Sequence, residues 1–136
     1  MGVMYMATCP KCNYNEQFFL GSGFNSINLF LSIQSLNQEE QEKIKNMEEK
    51  GEISCFSVEN KLTKCCNCST FGQLKQKVIV TITDQLHNNY KFGHKCDTCG
   101  NELEIYDENI TKKNNAIMCP KCGEVFLTFN IVGMWD

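Results

Sequence analysis

The chain has 136 residues, of which 42% are hydrophobic and 21% charged, with ten cysteines and a formal net charge of −3. That length fits one ordinary domain or two very small ones, and the apolar content allows only a modest core. An acidic total gives no bulk attraction for nucleic acid, and no stretch approaches the apolar length of a membrane span.

Residues 1–8 show neither a basic start nor a long apolar run, so no secretory signal is expected and the chain is expected to be cytoplasmic. Gly2 invites a myristoylation reading, but Met6 stands where Ser or Thr belongs. In a reducing compartment, paired cysteines hold metal more often than they form bridges. Cys9-Pro-Lys-Cys12 opens the first such pair, and a strand is expected over Glu16–Leu20. A helical insert is expected over about residues 25–51. Asn25-Ser26 would cap a short helix carrying Ile27, Phe30, Leu31 and Ile33. Asn37-Gln-Glu-Glu40 has capping-box spacing and predicts a polar helix from residue 38 to Lys50, stopped by Gly51. The apolar stripe of that helix (Leu36, Ile44, Met47) is narrow, so it is expected mostly to cover rather than to pack.

The second pair is Cys65-Cys-Asn-Cys68, followed by a strand over residues 71–82 whose Lys77–Ile82 stretch is rich in β-branched residues. His87–Tyr90 predicts a turn into the third pair, Cys96-Asp-Thr-Cys99. Leu103 and Ile105 alternate as in a half-buried strand, as do Val125, Leu127, Phe129 and Ile131 after the fourth pair, Cys119-Pro-Lys-Cys122. Asn13, Ser69, Gly100 and Gly123 follow the four pairs, residues small or tolerant of the tight turn that closes a zinc knuckle. Segments 9–20 and 119–129 both begin Cys-Pro-Lys-Cys and run into Phe-containing strands, as an internal repeat would.

Four such pairs supply two tetrahedral sites of four thiolates, hence two Zn²⁺ per chain. Nineteen residues separate the third and fourth pairs, a usual four-cysteine spacing, which favours Cys96, Cys99, Cys119 and Cys122 as one site. Cys9, Cys12, Cys65 and Cys68 then form the other across 52 residues. The alternative, second pair with third and first with fourth, stays open because 27 residues separate Cys68 and Cys96. Cys65 is favoured over Cys66, since Cys66-Asn-Cys68 is too short for a knuckle. Cys55 and Cys66 are then left over, expected as small half-buried hydrophobes. Eight thiolates and two divalent cations would bring the formal charge from −3 to −7.

The knuckle-and-strand pattern resembles the zinc-ribbon (rubredoxin-knuckle) superfamily. Within it, Cys9-Pro-Lys-Cys12, Phe18-Phe-Leu-Gly-Ser-Gly23 and Gly133-Met-Trp-Asp136 are similar to small bacterial double-zinc-ribbon proteins of unknown function. The expected fold is α+β: two zinc ribbons of short antiparallel strands, residues 1–84 with the helical insert and residues 85–136. No catalytic constellation is visible, since four-cysteine sites are closed and only His87 and His94 are available as imidazole bases. The expected role is a non-catalytic protein-interaction module without membrane contact, with Trp135 and the Phe18–Phe24 region as docking surfaces. Trp135 could equally seal the last strand. Two alternatives remain: a nucleic-acid-binding ribbon, disfavoured by the acidic total, and an RNA-polymerase-associated factor. The latter would use Asp107-Glu108, which resembles the acidic dipeptide on the hairpin of transcript-cleavage ribbons.

Overall fold

A computed structural model of the protein describes residues 2–22, 28–68, 72–112 and 116–135. Its strands are β1 (Gly2–Thr8), β2 (Asn15–Gly21), β3 (Ile53–Cys65), β4 (Gln73–Asp84), β5 (Asn89–Phe92), β6 (Glu104–Ile105) and β7 (Thr128–Trp135). The helices are α1 (Leu29–Ser32) and α2 (Gln38–Glu49). All seven strands join one sheet in the order β5-β4-β3-β2-β1-β7, with β6 on β3, and every pairing is antiparallel. No helix among the described residues is long and apolar enough to cross a membrane.

This corrects the expectation of two separate ribbons. β1 bonds to β7, β3 to β6 and β4 to β5, so the sheet runs across residue 84. Its thinnest seam lies between β2 and β3, which pair only at Gly21 and Asn60. Side chains reinforce that seam: Phe19 N–H donates to Gln76 Oε1 (2.6 Å), and the Ser22 hydroxyl donates to the Val58 carbonyl (2.9 Å). One apolar cluster spans the seam, packing Tyr5, Ala7, Phe18, Leu20, Ile117 and Leu127 against Leu62 of β3 and Leu74 of β4. A second joins Leu29, Ile33 and Ile44 of the helical segment to Val58 of β3, Val80 and Ile82 of β4 and Phe92 of β5.

The helices follow their caps. Asn37 Oδ1 accepts from Glu40 N–H at 2.8 Å and starts α2 at the expected place. The Glu40 carboxylate does not close the capping box. It accepts instead from Gly93 N–H at 2.8 Å, tying the helix start to the approach to the third knuckle. Only Ile44 of α2 is buried, as the narrow stripe implies. α1 is capped by Asn28, whose Oδ1 accepts from Leu31 N–H, while the expected Asn25-Ser26 cap lies outside the described residues.

The β4–β5 turn is built around Asp84. Its carboxylate accepts from the backbone N–H groups of Leu86 (2.9 Å) and Asn88 (2.8 Å), from Asn88 Nδ2 and from the Tyr90 hydroxyl. His87 there takes a positive φ of 66°. The Asn88 N–H above all, with the other donors, holds the Asp84 carboxyl below the ordinary carboxylate range despite burial, and the hydrogen bond to Asp84 raises Tyr90.

At the other end of the sheet, Trp135 reaches from β7 across β1 to β2. Its Nε1–H donates to the Leu20 carbonyl at 3.1 Å, and its ring meets Phe19 edge-on at 6.3 Å. The crossing point is Gly2, where a Cβ would strike the indole.

Two predictions follow the physics of these contacts. Gly2→Ala drives a methyl into the indole and should cost about 1–3 kcal/mol, read as a lower unfolding midpoint with red-shifted Trp135 emission. Asp84 has a depressed carboxyl, so its contribution is present above the unfolded value of about 3.9 and is lost as pH falls through the folded one. The stability gap between the wild type and Asp84→Asn should therefore be flat from about pH 5 to 7 and close below about pH 4, measured by urea unfolding.

Candidate metal centres

Each cysteine pair sits where a strand gives way to a tight turn. Cys9-Pro-Lys-Cys12 joins β1 to β2, Cys65–Cys68 follows β3, Cys96–Cys99 follows β5, and Cys119–Cys122 precedes β7. Three turns are closed by a backbone bond from the first cysteine's N–H to a carbonyl beyond the pair: Cys9 to Tyr14 (3.1 Å), Cys96 to Asn101 (2.8 Å) and Cys119 to Val125 (2.9 Å). Gly100 and Gly123 take φ of +76° and +67° and donate to the carbonyls of Cys96 and Cys119 at 2.9 Å, as expected for a knuckle. Asn13 has no positive φ, and Ser69 lies outside the described residues.

These turns bring eight sulfurs into two groups, each with all four Sγ atoms within 4.8 Å of one another. Cys9, Cys12, Cys119 and Cys122 form a terminal quartet; Cys65, Cys68, Cys96 and Cys99 form a central one. The favoured pairing of first with second and third with fourth is thereby overturned, and the alternative holds. The reason is the sheet. β1 lies against β7 with Thr8 opposite Thr128, which brings the first knuckle beside the fourth. The β3–β4 hairpin carries the second knuckle to where β5 and β6 deliver the third. The signal that could have revealed this was the Cys-Pro-Lys-Cys repeat, since the two identical knuckles share one quartet.

The quartets share one design. In each pair the first cysteine is buried and the second only partly so. The first of one knuckle stands close to the second of the other: Cys9–Cys122 at 3.7 Å, Cys12–Cys119 at 3.6 Å, Cys65–Cys99 at 3.6 Å and Cys68–Cys96 at 3.5 Å. Sulfurs about 2.3 Å from a central Zn²⁺ in a tetrahedron lie about 3.8 Å apart, so the spacing fits that ion. It is far beyond a disulfide bond of about 2.05 Å, and every cysteine is free. An ion pair clasps each quartet from outside: Lys11 with Glu124 at the terminal one, and Lys77 with Asp97 (2.8 Å) at the central one.

The electrostatics of the quartets suit a cation. Burial disfavours the Cys9 thiolate, but N–H groups of Lys11 and Cys12, both 3.4 Å from its sulfur, bring it down to about 7. N–H groups of Cys99 and Thr98 bring Cys96 down to about 6 against the effect of burial. Cys12 and Cys68 are governed by the sulfurs around them. Cys12 receives the Tyr14 N–H, yet burial and the three sulfurs around it push it up to about 12. Cys65, Cys96 and Cys99 push Cys68 up to about 12. Cys9 and Cys12 in one quartet, and Cys96 and Cys68 in the other, are thus driven in opposite directions, because adjacent negative charges repel. A divalent cation at the centre removes that conflict.

The other candidates stand apart. Cys65, not Cys66, belongs to the central quartet. Cys55 and Cys66 are exposed rather than half-buried, with Cys66 Sγ 3.9 Å from Glu104 Oε2. His94 Nε2 faces Glu102 Oε1 at 3.9 Å, and neither histidine joins a quartet. Asp107-Glu108 leads into a 3-10 turn (Glu108–Lys112), not a hairpin tip, and the knuckles flanking it in sequence belong to different quartets. Comparison with protein-family models, curated proteins and solved structures found no match for this chain. Fold and site together define an α+β protein with two tetra-cysteine clusters.

Double substitutions separate the two pairings. Cys9→Ser/Cys119→Ser disables one quartet and should leave one equivalent of bound metal, whereas Cys9→Ser/Cys65→Ser disables both and should leave none. Metal content of the purified variants by elemental analysis checks this, with Cys66→Ala keeping the wild-type value.

Proposed function

We propose that the protein binds two Zn²⁺ ions for structural purposes and that the scaffold so formed is a non-catalytic, cytoplasmic module for docking protein. Support for zinc comes from the donor sets. Four thiolates at tetrahedral spacing suit this ion and leave no open position for a water or substrate. The resemblance to zinc ribbons agrees with the four knuckles. Each ion is worth roughly 10–16 kcal/mol in peptide systems, against a net stability of about 5–15 kcal/mol for a whole domain. Metal is therefore a condition of folding.

The observation that carries the docking role is the surface of β7. Ile131 (64% exposed), Val132 (50%) and Met134 (63%) stand together on the last strand of the sheet. Trp135, at the end of the same strand, is fixed by the Leu20 carbonyl and the Phe19 ring. The Gly23–Phe24 part of the other docking surface expected from the sequence lies outside the described residues. Nucleic acid is a poorer partner. The total charge is acidic, and all thirteen basic residues are lysine, so the bidentate arginine contact to guanine is lacking.

The protein isolated under reducing conditions should contain two equivalents of zinc. A strong chelator should abolish its far-ultraviolet circular dichroism, and heparin resin should not retain it at low salt. Content clearly below two equivalents, or a fold indifferent to chelation, would overturn the structural-zinc reading.

A further inference from the structure

The sheet has two ends, and they are treated differently. β5 is four residues long and carries Lys91, the short charged form by which proteins guard an edge. β7 is eight residues long, Thr-Phe-Asn-Ile-Val-Gly-Met-Trp, with no charge and no proline. Its inner neighbour β1, Gly-Val-Met-Tyr-Met-Ala-Thr, is also uncharged. Opposite Met4 and Tyr5 the register slips by one residue, so Val132 has no partner on β1 and consecutive Ile131 and Val132 are both exposed. Trp135 and its bond to the Leu20 carbonyl keep the strand from fraying. The result is a firm edge that no strand among the described residues pairs, bordered by apolar side chains.

We propose that β7 pairs antiparallel with β7 of a second copy, about a twofold axis near Val132, joining the two sheets into one. This rests on the docking reading and names the partner. Charge decides the choice. Two acidic chains repel wherever their charged surfaces approach, but β7 and β1 bring no like charges into opposition. An edge without charge has nothing with which to select a charged foreign strand. It suits a neutral, apolar, β-branched edge, and the strand itself has those properties. An isologous contact satisfies both copies at once and closes the assembly at two. Eight residues span about 27 Å, and a strand pairing of that length buries less than the roughly 1,600 Å² of a standard interface. The dimer should therefore dissociate on the order of 1–100 µM.

Sedimentation velocity of the zinc-loaded protein over that range should show reversible dimerisation. Val132→Lys and Ile131→Lys, each tested alone, should weaken it at least tenfold while zinc content and circular dichroism stay unchanged. Phe30→Lys, on the separate exposed patch of α1, should have no effect. In the dimer, amides of residues 131–134 should exchange more slowly than in the monomer. A wild type that stays monomeric while holding two zinc ions would overturn the self-pairing and leave the docking reading standing. So would a dimer that survives both lysine substitutions. Protein without zinc fails the docking scaffold itself, a separate result.

Discussion

Four thiols cannot all ionise in one small space unless something positive stands among them. That constraint governs this protein twice. Backbone N–H groups of the first and third knuckles draw a sulfur toward thiolate, to about 7 for Cys9 and about 6 for Cys96, while neighbouring sulfurs hold Cys12 and Cys68 near 12. A quartet without a cation is internally opposed; with one it becomes the firmest point of the local structure. The sheet, the caps and the ion pairs can be understood as the means of bringing distant knuckles close enough for that resolution.

The two quartets divide the labour of the fold. The terminal one locks β1 to the segment entering β7, beside the cluster built on Tyr5, Phe18 and Leu127. The central one locks the β3–β4 hairpin to the chain leaving β5, where only Leu103 adds apolar support beyond the cysteines. Apolar packing and clustered cysteines thus trade places across the molecule. Where apolar side chains are few, a metal held by the sulfurs would carry more of the burden.

Much of the site was legible in the sequence, because the Cys-x-x-Cys spacing is local chemistry that needs no tertiary context. So was α2, whose cap at Asn37 and stop at Gly51 are equally local. The partnership of knuckles was not, because it is decided by strand pairing at long range. Separation in sequence favoured joining the third and fourth pairs, whereas β1 lies against β7. β1 was hidden by its methionines and glycine. β3 was hidden by a polar outer face, its Ser, Glu, Asn and Lys residues breaking the hydrophobic alternation while the backbone pairs along nearly its whole length. The one-sheet architecture rests on those two strands, which is why two ribbons were the natural sequence reading.

The quartets are nested: the central ligands, Cys65 to Cys99, all lie between Cys12 and Cys119. Nesting imposes a timetable on a chain emerging from the ribosome. The inner set is complete as soon as Cys99 is exposed and closes a short loop; the outer must wait for Cys122 and closes a much longer one, at greater entropic cost. Until then Cys9 and Cys12 emerge first and remain unpartnered longest, so the earliest-made knuckle is the one most open to oxidation or to capture of a wrong metal during synthesis.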